Sequence, residues 1–186
     1  KIGNALGRRR KEFYLSTKVD ERDGPGAIRK LERSLRRLKT DWIDLVLFHD
    51  VRGSEYEQIF EKGGLGALEK AKEQGKVSQI GISIHQSIPM MGKAIHSGAF
   101  SVLMVAYSPI DEDRLSADLL SSARKEGVGL IAMKPLAGGK LGEPLKGWDL
   151  KYFKRESPAQ VSLRYILTNP HITCAIPGMT SLKELQ

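Results

Sequence analysis

Cys174 is the single cysteine among 186 residues. An internal disulfide is therefore excluded, and one thiol suits a reducing compartment, so a cytoplasmic setting is expected. Long apolar runs are missing too. None approaches the ~18 residues needed to cross a bilayer and no signal peptide is visible, so no membrane partner is expected. No strand-like run is followed by the glycine-rich fingerprint of a Rossmann domain, and there is no phosphate loop of the Walker type. Paired histidines at a strand end, and Cys or His clusters at ligand spacing, are lacking as well. That weighs against a metal hydrolase built on His49, His85 and Asp50, and no metal is expected.

What is present is an ordinary globular composition, 40% hydrophobic and 28% charged, with a net charge of +8. The length allows one domain with a substantial core, yet falls short of the about 250 residues of a typical α/β barrel. The positive charge permits attraction to phosphates of a nucleotide or of nucleic acid. The first residue is Lys1 rather than Met, residues 1–8 read as the tail of a helix stopped at Gly7, and Gln186 falls inside another helix signal. Both ends look cut.

Apolar, β-branched runs at 12–19, 43–49, 78–84, 101–107, 128–133 and 172–176 read as strands. Between them lie helix signals. Pro25 opens one whose buried stripe is Ile28, Leu31, Leu35 and Leu38, with Glu32 offering Arg36 an i,i+4 pair. Its Arg29, Lys30, Arg33, Arg36 and Arg37 carry no interleaved aromatics, which favours a solvated face over a nucleic-acid surface. Residues 51–64 read as a loop or partly helical insertion, and 65–74 as a helix closed by Gly75. Ser87 caps a short helix ending before Gly98, and residues 115–126 form another closed by Gly127. The segment 136–156 is irregular and reads as a mobile lid. Ser157-Pro158-Ala159-Gln160 is a capping box opening a further helix, and Ser181 with Glu184 signals a last one. Alternation of this kind requires parallel strands with right-handed crossovers, in an open sheet or a barrel.

In such folds the chemistry sits at the carboxyl ends of the strands. There the chain places Lys18, His49, Ser83 with His85, Tyr107 with Ser108, and Lys134. A lysine and a histidine directly after apolar runs on neighbouring strands suit carbonyl reduction: a cation lowers the pKa of a proton donor, and a histidine orients the carbonyl. Tyr14 and Tyr107 are expected to be packing residues.

Several spaced motifs resemble the aldo-keto reductase family. They are Ser16-Thr17-Lys18-Val19, Leu31-Glu32 with Ser34-Leu35 and Leu38, Trp42-Ile43-Asp44-Leu45 with His49, and Gly75-Lys76-Val77. Ile80-Gly81-Ile82-Ser83, Lys134-Pro135-Leu136-Ala137-Gly138-Gly139 and Ile176-Pro177-Gly178 follow in the family's order. The resemblance implies a (β/α)8 TIM barrel, with about six of eight strand–helix units here in a single partial domain over 1–186. It implies an oxidoreductase that uses NADP or NAD to reduce aldehydes or ketones, with a small-molecule substrate and no nucleic acid. By the same resemblance Lys18 is the catalytic lysine and His49 the catalytic histidine. Ser83, Met133, Lys134, Leu136, Gly138, Gly139 and Gly178 are the cofactor-binding positions.

The family's catalytic Asp and Tyr belong before Lys1, so this chain alone is expected to be inactive. The chain departs from the pattern at Ser83-Ile84-His85, where Ser-Asn is usual, and at Met104, where glutamine is common. Met133 takes the place of a stacking aromatic, and Glu184 that of an arginine that grips the 2′-phosphate. The run from Ala132 to Gly139 resembles a divergent branch, some members of which carry a C-terminal iron–sulfur extension. A barrel that holds a nucleotide without turnover is the alternative reading.

Overall fold

A computed structural model describes residues 2–110, 115–142 and 156–185. It divides into two compact units, Lys1–Leu103 and Met104–Gln186.

The first unit opens with a short helix α1 (Ile2–Leu6) and a 3-10 segment (Gly7–Glu12). Strand β1 (Ser16–Val19), helix α2 (Gly24–Leu38), β2 (Ile43–Phe48), α3 (Glu55–Glu61), α4 (Gly64–Glu73), β3 (Val77–Ile84) and α5 (Ile88–His96) follow. β1 begins at Ser16 rather than at Glu12 as the composition suggested. Two contacts set that start: Arg9 is held by Glu12 at 2.7 Å, and the Leu15 N–H donates to the Asp44 carboxylate at 2.7 Å rather than to a strand carbonyl. Arg10 pairs with the same carboxylate at 2.8 Å and lies over the Trp42 ring. Asp44 thereby pins the entry to β1 against β2.

β1 pairs with β2, and β2 with β3, both in parallel. One face of these strands is covered by helices. Thr17 turns toward Ser34 of α2, and Phe48 meets Phe100 edge-on within a ring cluster that includes Tyr56 and Phe60 of α3. Leu31 and Leu35 of α2, Ile59 of α3 and Leu68 of α4 complete that apolar layer. On the opposite face a Cβ at Gly81 would lie 2.6 Å from the Val102 carbonyl oxygen and 2.9 Å from Leu47 Cδ2. Only glycine admits so close a backbone approach.

Capping explains where the helices start. Asp23 accepts the Gly26 N–H at 2.8 Å with Pro25 in the first turn, and Ser87 accepts the Met90 N–H at 3.3 Å. The segment 51–64 is more helical than the sequence suggested: it holds α3, and Gly63 at φ 76° turns the chain into α4. Glu32 does not pair with Arg36; its carboxylate reaches Lys76 at 2.6 Å.

Strand β4 (Val102–Ala106) straddles the two units. In the second unit come α6 (Ala117–Lys125), β5 (Gly129–Met133), a 3-10 turn (Ala137–Gly139), α7 (Pro158–Thr168), β6 (Ile172–Ile176) and α8 (Leu182–Leu185). β5 and β6 are parallel. α6 starts at Ala117 rather than Leu115, because Ser116 is its cap and accepts the Leu119 N–H at 3.2 Å. The capping box of α7 forms in both directions between Ser157 and Gln160. Most of the lid expected over 136–156 lies outside the described residues. Tyr107 is buried, and its hydroxyl accepts from Asn169 at 3.0 Å, in keeping with packing. Tyr14, also expected to pack, is instead 97% exposed. Among the described residues no helix is long and apolar enough to cross a membrane.

Candidate active site

Lys18 lies opposite Leu47, and Leu47 opposite Gly81, in the parallel registers of the first unit. Register partners share a face, and faces alternate along each strand. His49 and Ser83, two residues past Leu47 and Gly81, therefore continue the face that carries Lys18, away from the helices. The His49 N–H donates to the Val19 carbonyl at 2.9 Å, so the strand pairing runs to the histidine itself. Lys18 and His49 thus stand at the carboxyl ends of neighbouring strands. Ser83 is fully buried, and its carbonyl accepts the Val51 N–H at 2.9 Å.

Charges brace this rim. Asp20, two residues past Lys18, places Oδ1 2.6 Å from His49 Nδ1, while its other oxygen pairs with Lys30 of α2. Hydrogen bonds from Lys30 first, then from His49, hold the Asp20 carboxyl at about 2, well under its ordinary value. Arg22, only 8% exposed, donates to the Val19 carbonyl at 3.4 Å, to the His49 carbonyl at 2.6 Å and to Glu55 at 3.3 Å. One guanidinium therefore ties the ends of β1 and β2 to the start of α3. Asp50 follows in left-handed backbone at φ 43°. It pairs with Arg52, which lowers its pKa, and its Oδ1 lies 3.8 Å from His85 Nε2. Among the described residues no three His, Cys, Asp or Glu side chains come together to hold a metal.

The second unit offers backbone instead. β5 ends at buried Met133, and the chain then takes positive φ at Lys134 (54°), Ala137 (48°), Gly138 (71°) and Gly139 (97°). The turn is closed by Ala137 N–H to Lys134 O at 2.8 Å and Gly139 N–H to Leu136 O at 2.9 Å, and it is anchored by fully buried Leu141. Among the described residues, a Cβ at Gly138, Gly139 or Gly178 would meet nothing within 4 Å, so toward those residues these glycines border open space. Past Gly178, Glu184 accepts the Thr180 N–H at 2.8 Å and the hydroxyls of Thr180 and Ser181. Those bonds lower its pKa and put a negative charge at the opening of α8.

Lys18, His49 and Ser83, singled out at strand ends, share this face, whereas Asp20, Arg22 and Lys30 beside them were not singled out. Asp20 had a signal: alternation from Lys18 puts it on the same face. Arg22 and Lys30 had none, because Arg22 reaches two backbone carbonyls and Glu55 of α3, and Lys30 a loop carboxylate ten residues back, at no spacing that a sequence pattern marks.

The aldo/keto reductase family pattern matches residues 1–146. The chain is 29% identical to the uncharacterized oxidoreductase YrpG of Bacillus subtilis, over 97% of this chain and 67% of that protein. It is 33% identical to the methylglyoxal reductase DkgB of Salmonella typhi, over 99% of this chain and 69% of that protein. An aldo/keto reductase from Klebsiella pneumoniae, solved with NADP and acetate, superposes with a TM-score of 0.81 at 23% identity, over 99% of this chain and 66% of that one. That likeness shows the fold: about six of the eight strand–helix units of a (β/α)8 barrel. The chain spans 55–69% of the length of the curated relatives compared with it. On the family match and the 33% identical relative together, the chain belongs to the aldo/keto reductase family.

Proposed function

We propose that the protein is an NAD(P)H-dependent oxidoreductase that reduces the carbonyl of a small aldehyde or ketone, with Lys18 and His49 as catalytic residues. The observation that carries this reading is their common face at the carboxyl ends of β1 and β2. The Klebsiella enzyme's NADP and the reductase activity in the name of DkgB support it. So does the family match, which runs across the boundary between the two units and favours one partial barrel domain over 1–186.

In this reading the nicotinamide supplies the hydride. Lys18 is the cation that makes a phenol proton donor a stronger acid, and His49 contacts the substrate oxygen and orients it. Ser83, on the same face, is assigned to the coenzyme. Met133, Lys134, Leu136, Gly138, Gly139 and Gly178 are assigned to it as well. The residues fit such a group: positive-φ glycines beside open space admit phosphate to the backbone, and Met133 is polarizable enough to pack on a ring. Glu184, a carboxylate on Thr180 and Ser181, disfavours a 2′-phosphate and favours NADH.

Lys30 is engaged by Asp20, and the basic face of α2 is read as solvated rather than as a nucleic-acid surface. The exposed thiol of Cys174 fits a reducing, cytoplasmic setting. The test is a fluorescence titration of the protein, in its complete reading frame, with NADH and with NADPH. Saturable binding with NADH tighter is expected; no saturable binding of either overturns the reading.

A further inference from the structure

His49 is gripped at two places. Arg22 holds its carbonyl at 2.6 Å, which fixes the backbone at the end of β2. Asp20 meets its ring at Nδ1 at 2.6 Å, which fixes the side chain. The carboxylate is itself restrained from two elements, with one oxygen on His49 after β2 and the other on Lys30 of α2. Nothing in the family pattern that led to Lys18 and His49 includes Asp20 or Lys30.

A carboxylate only accepts hydrogen bonds, so the ring nitrogen facing it must carry the proton. An imidazole with Nδ1 committed in this way has one ring atom left for anything else. We propose that Asp20 is a positioning residue that fixes His49 in the Nδ1–H tautomer and reserves Nε2 for the substrate oxygen. Nε2 then accepts from a hydroxyl when the ring is neutral and donates to a carbonyl oxygen when the ring is protonated. The tautomer in which a neutral ring donates from Nε2 is removed. Lys30 is the anchor that keeps the carboxylate in place.

An exposed ion pair adds little to stability, and Asp20 is 55% exposed. Its effect is directional instead, since any acceptor that stays at Nδ1 selects the tautomer. The inference rests on the reading of His49 as the group that contacts substrate, yet its test does not require turnover.

The experiment is a long-range proton–nitrogen correlation spectrum of the histidine-labelled protein, in its complete reading frame, at alkaline pH where the ring holds one proton. His49 is identified by the signals lost in His49→Gln. In the wild type we expect a protonated Nδ1 and a bare Nε2. Asp20→Asn should shift His49 toward the Nε2–H form or a mixture, because an amide can itself donate to Nδ1. An Nε2–H ring in the wild type overturns the proposal, and so does an Nδ1–H ring that persists unchanged in Asp20→Asn. The wild-type spectrum decides alone if that variant does not fold. Failure to bind coenzyme would count against the proposed function and leave this result untouched.

Discussion

The two parts of the chain assigned to function are built from different materials. At the ends of β1 and β2, side chains do the holding: Asp20, Arg22, Lys30 and Glu55 converge on His49 and its neighbours. After β5 and β6 the backbone does it, through left-handed residues at Lys134, Ala137, Gly138 and Gly139 and glycines beside open space. A residue that must present one ring atom to one substrate atom needs its rotamer locked, and charged partners on rigid elements do that. A surface that must admit a large anion needs amides and room, and glycine supplies both.

Removing a partner from the first region should therefore cost more than straining the second. Arg22→Met deletes a nearly buried guanidinium and leaves the His49 carbonyl without that donor. Hydrogen bonds to charged groups contribute about 1.5–3 kcal/mol each, offset here because the Nε atom of Arg22 is buried without a partner among the described residues. A net loss of about 1–3 kcal/mol is expected, read in denaturant melts. An unchanged midpoint would show that Arg22 braces nothing.

Gly139→Ala tests the second region. At φ 97° an alanine is strained whatever space surrounds it, and a cost of about 1–2 kcal/mol is expected. The same variant should weaken coenzyme binding in a fluorescence titration. Full affinity would remove the turn from the site.

Glu184→Gln is a smaller change. It deletes the carboxylate on Thr180 and Ser181, and charges at helix starts are worth about 0.3–1 kcal/mol. The expected NADH preference over NADPH should narrow by about 2–5-fold, measured as a ratio of dissociation constants. A ratio that stays fixed would mean that the 2′-position is read elsewhere.

Asp20 gives the smallest effect. Its carboxyl is held at about 2 in the folded chain, against 3.8 ordinarily. The stabilisation is complete above pH 3.8 and is lost as pH falls through the folded value near 2. Since Asp20 is more than half exposed, solvent screening keeps the contribution to about 1 kcal/mol or less. Asp20→Asn should remove that contribution of about 1 kcal/mol or less at neutral pH, leave stability below the folded value nearly unchanged, and so flatten the acid limb in that window. A large loss at neutral pH would make Asp20 a structural residue.

The comparison also explains what could be read from the sequence. Strand runs, the capping box at Ser157, and the placing of Lys18 and His49 at neighbouring strand ends were legible because each rests on local pattern or on position along a strand. The start of β1 was not, since Asp44, far along the chain, takes the Leu15 N–H. Glu32 looked paired to Arg36 at helical spacing, but the fold brings Lys76 closer. Arg22 was invisible for the same reason. Two of its partners are carbonyl oxygens, which every residue has, and the third, Glu55, lies 33 residues along the chain, so no residue pattern marks them.

The central claim is that Lys18 and His49 carry carbonyl reduction, and it meets its most direct test in turnover. The protein, in its complete reading frame, is assayed with NADH and NADPH against a panel of aldehydes and ketones, following loss of the reduced nicotinamide. Lys18→Met and His49→Ala are assayed beside it, at matched coenzyme occupancy. Wild-type turnover of at least one carbonyl is expected, with a fall of about tenfold or more in kcat for each variant, in line with lost acid–base and orienting groups. Variants that turn over as fast as the wild type would contradict it.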